Sequence, residues 1–361
     1  MQQENWWLIK LLPLNNNKSV TCGSAFLFWL LLQAAMLDPK NIFNIGSKNE
    51  FDQMALQVFK HQFKHNKVYR SFCDLLYKSP SDINSIEEIP FLPIQFFKSH
   101  KVLSSKEGIE LTFTSSGTTS LTTSKHFVTD LTIYEESFRR GFEHFYGKIE
   151  DYVILALLPS YLEREGSSLI YMVDDMIRCS NHRESGFYLN NLDELYETLI
   201  QLEAHGQPTI LIGVSFALLD FVEQYNIKLN HTTIMETGGM KGRRKEIIRH
   251  ELHQQLKRGF GVTTIHSEDG MTELLSQAYS LGDGVFKTPP WMKVLTRDTE
   301  DALAIQERGN TGGINVIDLA NINSCSFIAT QDLGKVLHND QFEILGRFDQ
   351  SDIRGCNLMV M

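Results

Sequence analysis

The sequence predicts an α/β fold: a mostly parallel sheet flanked by helices, followed by a smaller β-rich part. Three observations predict it. Between residues 151 and 265, short apolar runs alternate with longer amphipathic ones, the rhythm of a parallel sheet with helical crossovers. After Gly282 the rhythm changes to short β-like pieces separated by Gly-containing turns. The composition, 42% hydrophobic and 22% charged over 361 residues, is that of a chain able to bury a large core.

The N-terminal residues are irregular and lead into the apolar run Ala25-Phe26-Leu27-Phe28-Trp29-Leu30-Leu31-Leu32. A spanning helix needs about 20 apolar residues, so this run is too short. A secretory signal carries an apolar core of about 7–15 residues behind positive charge, and Lys10 and Lys18 precede this one. The reading adopted is an N-terminal extension, or a leader with the working start at Met36. Residues 1–39 are therefore expected to lie outside the fold. Residues 50–76 predict a helix, because Phe51, Met54, Val58, Phe59, Phe63 and Tyr69 recur near 3.6-residue spacing. Pro80, Pro90 and Pro93 punctuate the next stretch. Its aromatic run from Phe91 to Phe97, with Lys98 and His100 after it, reads as core packing or as the wall of a substrate channel.

Residues 109–113 predict a short strand. Residues 152–158 predict a buried one, stopped by Pro159. Helices are expected over 168–178 and 193–204, then a strand over 209–212. A helix over 215–224 follows, with Ser215 as its N-cap. A strand over 232–235 ends near Gly238-Gly239. A helix over 243–257 and a strand over 262–265 complete the α/β part. The later β pieces are 291–295, 313–317, 326–329 and 341–345. No fixed-period repeat and no low-complexity linker interrupts the chain.

The net charge of −10, from 34 basic and 44 acidic residues, gives no basic surplus for a nucleic acid. No nucleic-acid partner and no stable membrane insertion are expected. The five cysteines are scattered, without a CxxC pair, which argues against a zinc ribbon, a redox dithiol or a disulfide framework. A cytoplasmic location is expected on that ground.

Three segments carry possible chemistry. Thr112-Phe113-Thr114-Ser115-Ser116-Gly117-Thr118-Thr119-Ser120 is nearly all hydroxyl or glycine and follows a strand, so its hydroxyls and backbone N–H groups suit phosphate oxygens. It is not a Walker loop, since no Gly-Lys-Ser/Thr follows; a polar surface loop is the plainer alternative. His266-Ser267-Glu268-Asp269-Gly270-Met271-Thr272-Glu273 is expected to follow a strand and open a helix, where α/β sheets gather ligands. A carboxylate there suits a divalent ion beside phosphates, although acidic residues also cap helices. Last, Thr330-Gln331-Asp332-Leu333-Gly334 and Gly346-Arg347-Phe348-Asp349 read as Gly turns. An Asp there can accept ribose hydroxyls and an Arg can reach a phosphate.

In this order the three segments resemble the adenylate-forming enzyme superfamily: its Ser/Thr/Gly phosphate loop, its aromatic-Gly-x-Thr-Glu motif, its Thr-Gly-Asp ribose motif and its Gly-Arg-x-Asp hinge. Ile89-Pro90-Phe91-Leu92-Pro93, Leu158-Pro159-Ser160-Tyr161, Thr237-Gly238-Gly239-Met240-Lys241-Gly242 and Met271-Thr272-Glu273-Leu274-Leu275-Ser276-Gln277 make it most similar to the acyl-protein synthetase (LuxE-type) family. The resemblance implies the large N-terminal domain of that superfamily over 40–345, with a β-rich subdomain from about 283. It implies a hinge and short tail over 346–361, and a C-terminal lid largely absent.

The resemblance further implies that ATP, with Mg²⁺, activates a carboxylic acid, expected to be a fatty acid, as an acyl-adenylate. The acyl group then passes to a thiol. Phosphates would lie against Thr114, Ser115, Ser116, Gly117, Thr118 and Thr119, with Gly238 and Gly239 lining the nucleotide site. Thr272 would contact phosphate, Glu273 would hold Mg²⁺, Asp332 the ribose, and Arg347 phosphate or ribose. Cys356, in the C-terminal tail beside Arg354, would be the acyl acceptor. The acceptor could otherwise be coenzyme A or a carrier protein, with an acyl reductase downstream. The chain departs from the pattern at three places: Asp269 replaces an adenine-stacking aromatic residue, Ser120 replaces a loop glycine, and the usual Pro-Lys is missing, with Lys125 nearby. These departures motivate a rival reading, a degenerate nucleotide-binding protein with a partner role. An acyl- or aryl-CoA ligase is the rival among enzymes.

Overall fold

The computed structural model describes residues 39–115, 123–159, 166–238 and 247–348. The chain begins with α1 (Pro39–Ile42), α2 (Lys48–His65) and α3 (Lys67–Leu75), then β1 (Leu92–Pro93) and the one-turn α4 (Phe96–Ser99). A separate hairpin of β2 (Leu111–Thr114) and β3 (Lys125–Val128) leads into α5 (Leu131–Tyr146). The α/β part follows as β4 (Val153–Leu157), α6 (Ser168–Ser180), β5 (Gly186–Phe187), α7 (Leu192–His205), β6 (Thr209–Val214), α8 (Ser215–Gln224), β7 (Thr232–Thr237), α9 (Arg249–Phe260) and β8 (His266–Asp269). The rest is β: β9 (Ala278–Ser280), β10 (Val285–Lys287), β11 (Met292–Arg297), β12 (Thr311–Asp318), β13 (Phe327–Val336) and β14 (Phe342–Arg347).

The α/β class predicted from the sequence is borne out. One sheet runs β11-β12-β13-β14-β10-β9-β8-β7-β6-β4-β5, and β1 pairs with β13. From β5 to β8 every pairing is parallel. From β8 through β9 to β11 every pairing along this order is antiparallel. The β-rich part therefore continues the α/β sheet. Strands β4 and β6 are buried at every residue, as strands covered on both faces must be. Gly213 in β6 packs so closely that a Cβ would sit 2.9 Å from the Leu157 and Leu218 side chains.

Several local expectations are corrected. The helix expected over 50–76 is two helices. Asn66 between them is extended, and its side chain accepts from Tyr69 N and donates to Ser324 O. That carboxamide starts α3 and ties it to the core, so the apolar period continues while the helix does not. Ser215 is not an N-cap: it is the first residue of α8, and its hydroxyl donates to Gly238 O at 3.0 Å. The strand expected over 262–265 is instead β8, and α9 begins at Arg249. No helix opens after Gly270; Thr272 and Glu273 lie in a turn between antiparallel β8 and β9. Among the described residues, no helix is long and apolar enough to cross a membrane.

Candidate active site

The parallel strands β7 and β8 end at a cavity of about 440 Å³. It lies at the seam where the sheet changes from parallel to antiparallel, the place where open α/β sheets receive ligands. Its walls come from separated stretches of chain: α4, the neck of the β2–β3 hairpin, the start of α6, the ends of β7 and β8, and the strands β13 and β14. Ser115, Gly238, Thr272, Glu273, Asp332 and Arg347, all singled out from the sequence, line this one space. Thr114 stands one step back: its N–H bonds Gly166 O at 2.8 Å, and Gly166 at φ +78° packs against its hydroxyl. Ser116, Gly117, Thr118, Thr119, Ser120, Gly239 and Cys356 lie outside the described residues.

The neck of the Ser/Thr loop is closed by two serines. Ser115 N donates to Ser124 O at 3.2 Å, and Ser124 N donates to the Ser115 hydroxyl at 3.0 Å. Both residues line the cavity. Across it, the Thr272–Glu273 turn is held by its carbonyls. His126 Nδ1 bonds Thr272 O at 2.8 Å, and because a carbonyl only accepts, that nitrogen carries the proton. Asn321 Nδ2 donates to Glu273 O at 2.7 Å. The next N–H groups are taken by Asp318, whose carboxylate accepts from Leu275 N, Ser276 N and the Ser276 hydroxyl at 2.8, 3.0 and 2.6 Å. Thr-Glu-Leu-Leu does not start a helix: Ser276 N–H, which in a helix would return to Thr272 O, goes to Asp318, and Thr272 O is taken by His126.

The electrostatics of the cavity are acidic. Glu268, Asp269, Glu273 and Asp332 line it with two cations, Lys98 and Arg347. Glu268 accepts from the Thr237 hydroxyl at 2.5 Å. Burial, then the carboxylates of Asp332 and Glu268, push Asp269 up to about 8, against the pull of Arg249. Burial raises Glu273, opposed by a hydrogen bond from Ser124 and by Arg347 and Lys98. Burial also raises Asp332, although Arg347 and Arg297 oppose it. Asp332 and Arg347 do not sit in Gly turns as expected. They are opposite residues on antiparallel β13 and β14, with Arg347 Nε 3.4 Å from the Asp332 carboxylate. Buried His126, driven down to about 4 chiefly by desolvation, stays neutral at pH 7.

Sequence reasoning missed Ser124, Asn321 and the cavity position of Lys98, and it held Glu268 only as part of the second segment; His126, a possible positive charge just after the Ser/Thr loop, is instead buried and neutral. His126 and Lys98 were visible beside motifs; Asn321, whose partner is 48 residues away, gave no local signal. Of the cysteines, Cys73, Cys179 and Cys325 are free, and burial raises all three, Cys73 to about 12. None of these three presents a thiolate at neutral pH.

Residues 16–140 match the family described as acyl-protein synthetase, LuxE, which bears out the resemblance drawn from the motifs. That match begins inside the stretch set aside as an extension. A curated relative from Photorhabdus luminescens, long-chain-fatty-acid–luciferin-component ligase, is 40% identical over 70 residues, 19% of this chain and 60% of the relative. The fold resembles a 2-hydroxyisobutyryl-CoA ligase solved with 2-HIB-AMP and CoA, at TM-score 0.60 and 14% identity over 85% of this chain and 70% of the ligase. It also resembles ATP-bound MatB from Rhodopseudomonas palustris, at TM-score 0.50 and 15% identity over 67% of this chain and 49% of MatB. At such identities the likeness is one of fold. The aligned part is about half of MatB and under two thirds of the luciferin-component ligase.

Proposed function

We propose that this relative of the LuxE acyl-protein synthetases is an ATP-dependent acyl-activating ligase. It would join a carboxylic acid to AMP, release pyrophosphate and pass the acyl group to a thiol, forming a carbon–sulfur bond. The observation that carries the proposal is convergence. Ser115, Thr272, Glu273, Asp332 and Arg347 come from separate stretches of the chain and line one cavity at the carboxyl ends of parallel strands. Displacement at phosphorus needs placement and charge neutralisation more than a protein nucleophile, and these residue types supply both.

In this reading the Ser115 and Ser124 hydroxyls and the Ser/Thr loop face phosphate oxygens. The Thr272 hydroxyl joins them from the braced turn. The Asp332 carboxylate takes ribose hydroxyls, and Arg347, opposite it, reaches the phosphate. Glu273 suits Mg²⁺: it is a buried carboxylate lining the cavity, and Mg²⁺ characteristically takes one or two carboxylates plus phosphates and water. The bound ion would neutralise phosphate charge. The acyl acceptor is proposed to be the Cys356 thiol, with coenzyme A or a carrier protein as the alternatives and an acyl reductase as the onward partner. A fatty acid is the first class to test, because the curated relative acts on one by its name.

Carboxylate-dependent ATP–pyrophosphate exchange with Mg²⁺, across fatty and aryl acids, tests the reading. Exchange with some acids and none without acid is the expected result. Loss of thioester in Cys356→Ser, with exchange retained, would assign the acceptor; CoA-dependent product from that variant would assign CoA. Silence with every acid in folded protein would overturn the ligase reading. Asp269 favours one second reading, a nucleotide-binding protein without turnover, because a carboxyl occupies a wall of the cavity where the resemblance implies an aromatic ring. A gain of ATP affinity in Asp269→Tyr without exchange would support it.

A further inference from the structure

Glu268, Glu273 and Asp332, the largely protonated Asp269 and two cations line the cavity among the described residues, and Arg347 already faces Asp332 at 3.4 Å. An anionic substrate entering there meets more carboxylates than cations, and in a partly dehydrated space that excess disfavours it. Lys98 is the remaining cation. Among the described residues its ammonium forms no ion pair within 4 Å, yet it acts on the Glu273 carboxylate through space, in the same sense as Arg347.

Its position is built rather than incidental. Strand β1 pairs in parallel with β13, Leu92 opposite Ile328 and Pro93 opposite Ala329, and Ile94 N donates to Ala329 O at 3.0 Å. That pairing sets the segment next to Gln331 and Asp332 on the cavity wall. In α4, Phe97 is buried and lies edge-on to His126, the residue that braces Thr272. With Phe97 inward, Lys98 is left exposed at the cavity. Ser124 and Glu273, at the end of the cavity assigned above to phosphate and Mg²⁺, share its wall.

We infer that Lys98 is a further substrate-contacting residue, the cation that takes an anionic oxygen of the reacting centre from ATP phosphate or from the acid's carboxylate. The inference rests on the ligase reading. In the step concerned, a carboxylate oxygen forms a bond to the α-phosphorus of ATP. The bond from that phosphorus to its bridging oxygen breaks, and pyrophosphate leaves with the electron pair. No proton moves. Negative charge is redistributed among the three reacting groups, and an ammonium beside them offsets it.

The test compares Lys98→Met, Lys98→Arg and, as a charge control outside the cavity, Lys101→Met. Mg·ATP affinity is measured by calorimetry, exchange kinetics as KM and kcat for ATP and acid, and folding by melting temperature. Lys98→Met is expected to lower exchange efficiency about 100-fold with an unchanged melting temperature. Lys98→Arg should restore most of it, and Lys101→Met should match the parent. A loss carried by ATP affinity assigns the phosphate; a loss carried by acid KM or kcat assigns the carboxylate. Exchange and Mg·ATP affinity both unaltered in Lys98→Met would overturn the inference. If the parent protein binds Mg·ATP but shows no exchange with any acid, the ligase reading fails by itself. Lys98 is then judged by affinity, and equal ATP binding in parent and Lys98→Met would remove it.

Discussion

The two halves of the sheet put polar groups in different places. In the parallel half, β4 and β6 bury every residue, and the chemistry-bearing side chains gather at the carboxyl ends of β7 and β8. In the antiparallel half, polar groups are buried inside the core. Asp318 and Asn321 are fully buried, and Arg297 donates to Ile314 O, Asn315 Oδ1 and Thr330 O. Gln62, from α2, reaches the same region, bonding Asn321 O, Ile322 O and Ser326. The difference teaches a division of labour. The apolar half supplies rigid strand ends; the polar half fixes backbone that has no regular structure of its own, above all the Thr272–Glu273 turn. Apolar burial has no direction, whereas hydrogen bonds do.

The sharpest way to break that comparison is a pair of core variants. Asp318→Ala strands the N–H groups of Leu275 and Ser276, so a loss of about 3–5 kcal/mol is expected. Mg·ATP affinity of the remaining folded protein should fall as well, because the turn is released. Leu211→Ala, in β6 of the parallel half, should cost about 3 kcal/mol by leaving a cavity, yet leave affinity per folded molecule unchanged. Urea unfolding paired with calorimetric titration reads both. Equal affinity losses in the two variants would abolish the division.

A smaller effect is expected at His126. His126→Phe keeps the ring volume and removes the donor to Thr272 O, for a loss of about 1–2 kcal/mol and weaker Mg·ATP binding. Its sign with pH is fixed. The folded histidine, at about 4, sits below its ordinary value, so the unfolded chain takes up the proton first. The stability it contributes is present above the unfolded value and is lost as pH falls toward about 4. Urea midpoints followed from neutral pH downward should show a steeper acid limb in the parent than in His126→Phe; parallel limbs would remove His126 as its source.

These positions also show what the sequence carried. Strands β4, β6 and β7 were legible because their apolar runs are continuous and bounded by breakers. Strand β8 was not: His-Ser-Glu-Asp has no strand pattern, and it is a strand because Glu236 and Thr237 pair with Ser267 and Glu268. The break at Asn66 was hidden by an apolar period that runs through it. Ser115, Thr272, Glu273, Asp332 and Arg347 could be chosen from local motifs because phosphates and ribose demand particular residue types. Lys98 and Asn321 could not be assigned, because their relation to the site depends on strand pairing and packing between distant segments.

The smallest effect sharpens the comparison at the seam itself, at Asp269, the last residue of β8. The carboxyl is held up to about 8 by burial and by Asp332, Glu268 and Glu236, with Arg249 opposing. A raised carboxylic acid holds its proton in the folded state where the unfolded chain has released it. Its contribution therefore makes stability fall as pH climbs from about 4 to about 8, and level off above. The residue is half-buried and open to the cavity, so solvent screening reduces this slope. Nucleotide binding reads the same proton more directly. At neutral pH the group is mostly uncharged and tolerates a phosphate-bearing ligand; above about 8 it becomes one more anion in an acidic cavity. Mg·ATP affinity should therefore drop severalfold between about pH 7 and about pH 9, and Asp269→Asn should flatten the drop while binding as well as the parent at the lower pH. A drop that survives in Asp269→Asn would move the titration to another group and leave the carboxyl at the seam without a part in ligand binding.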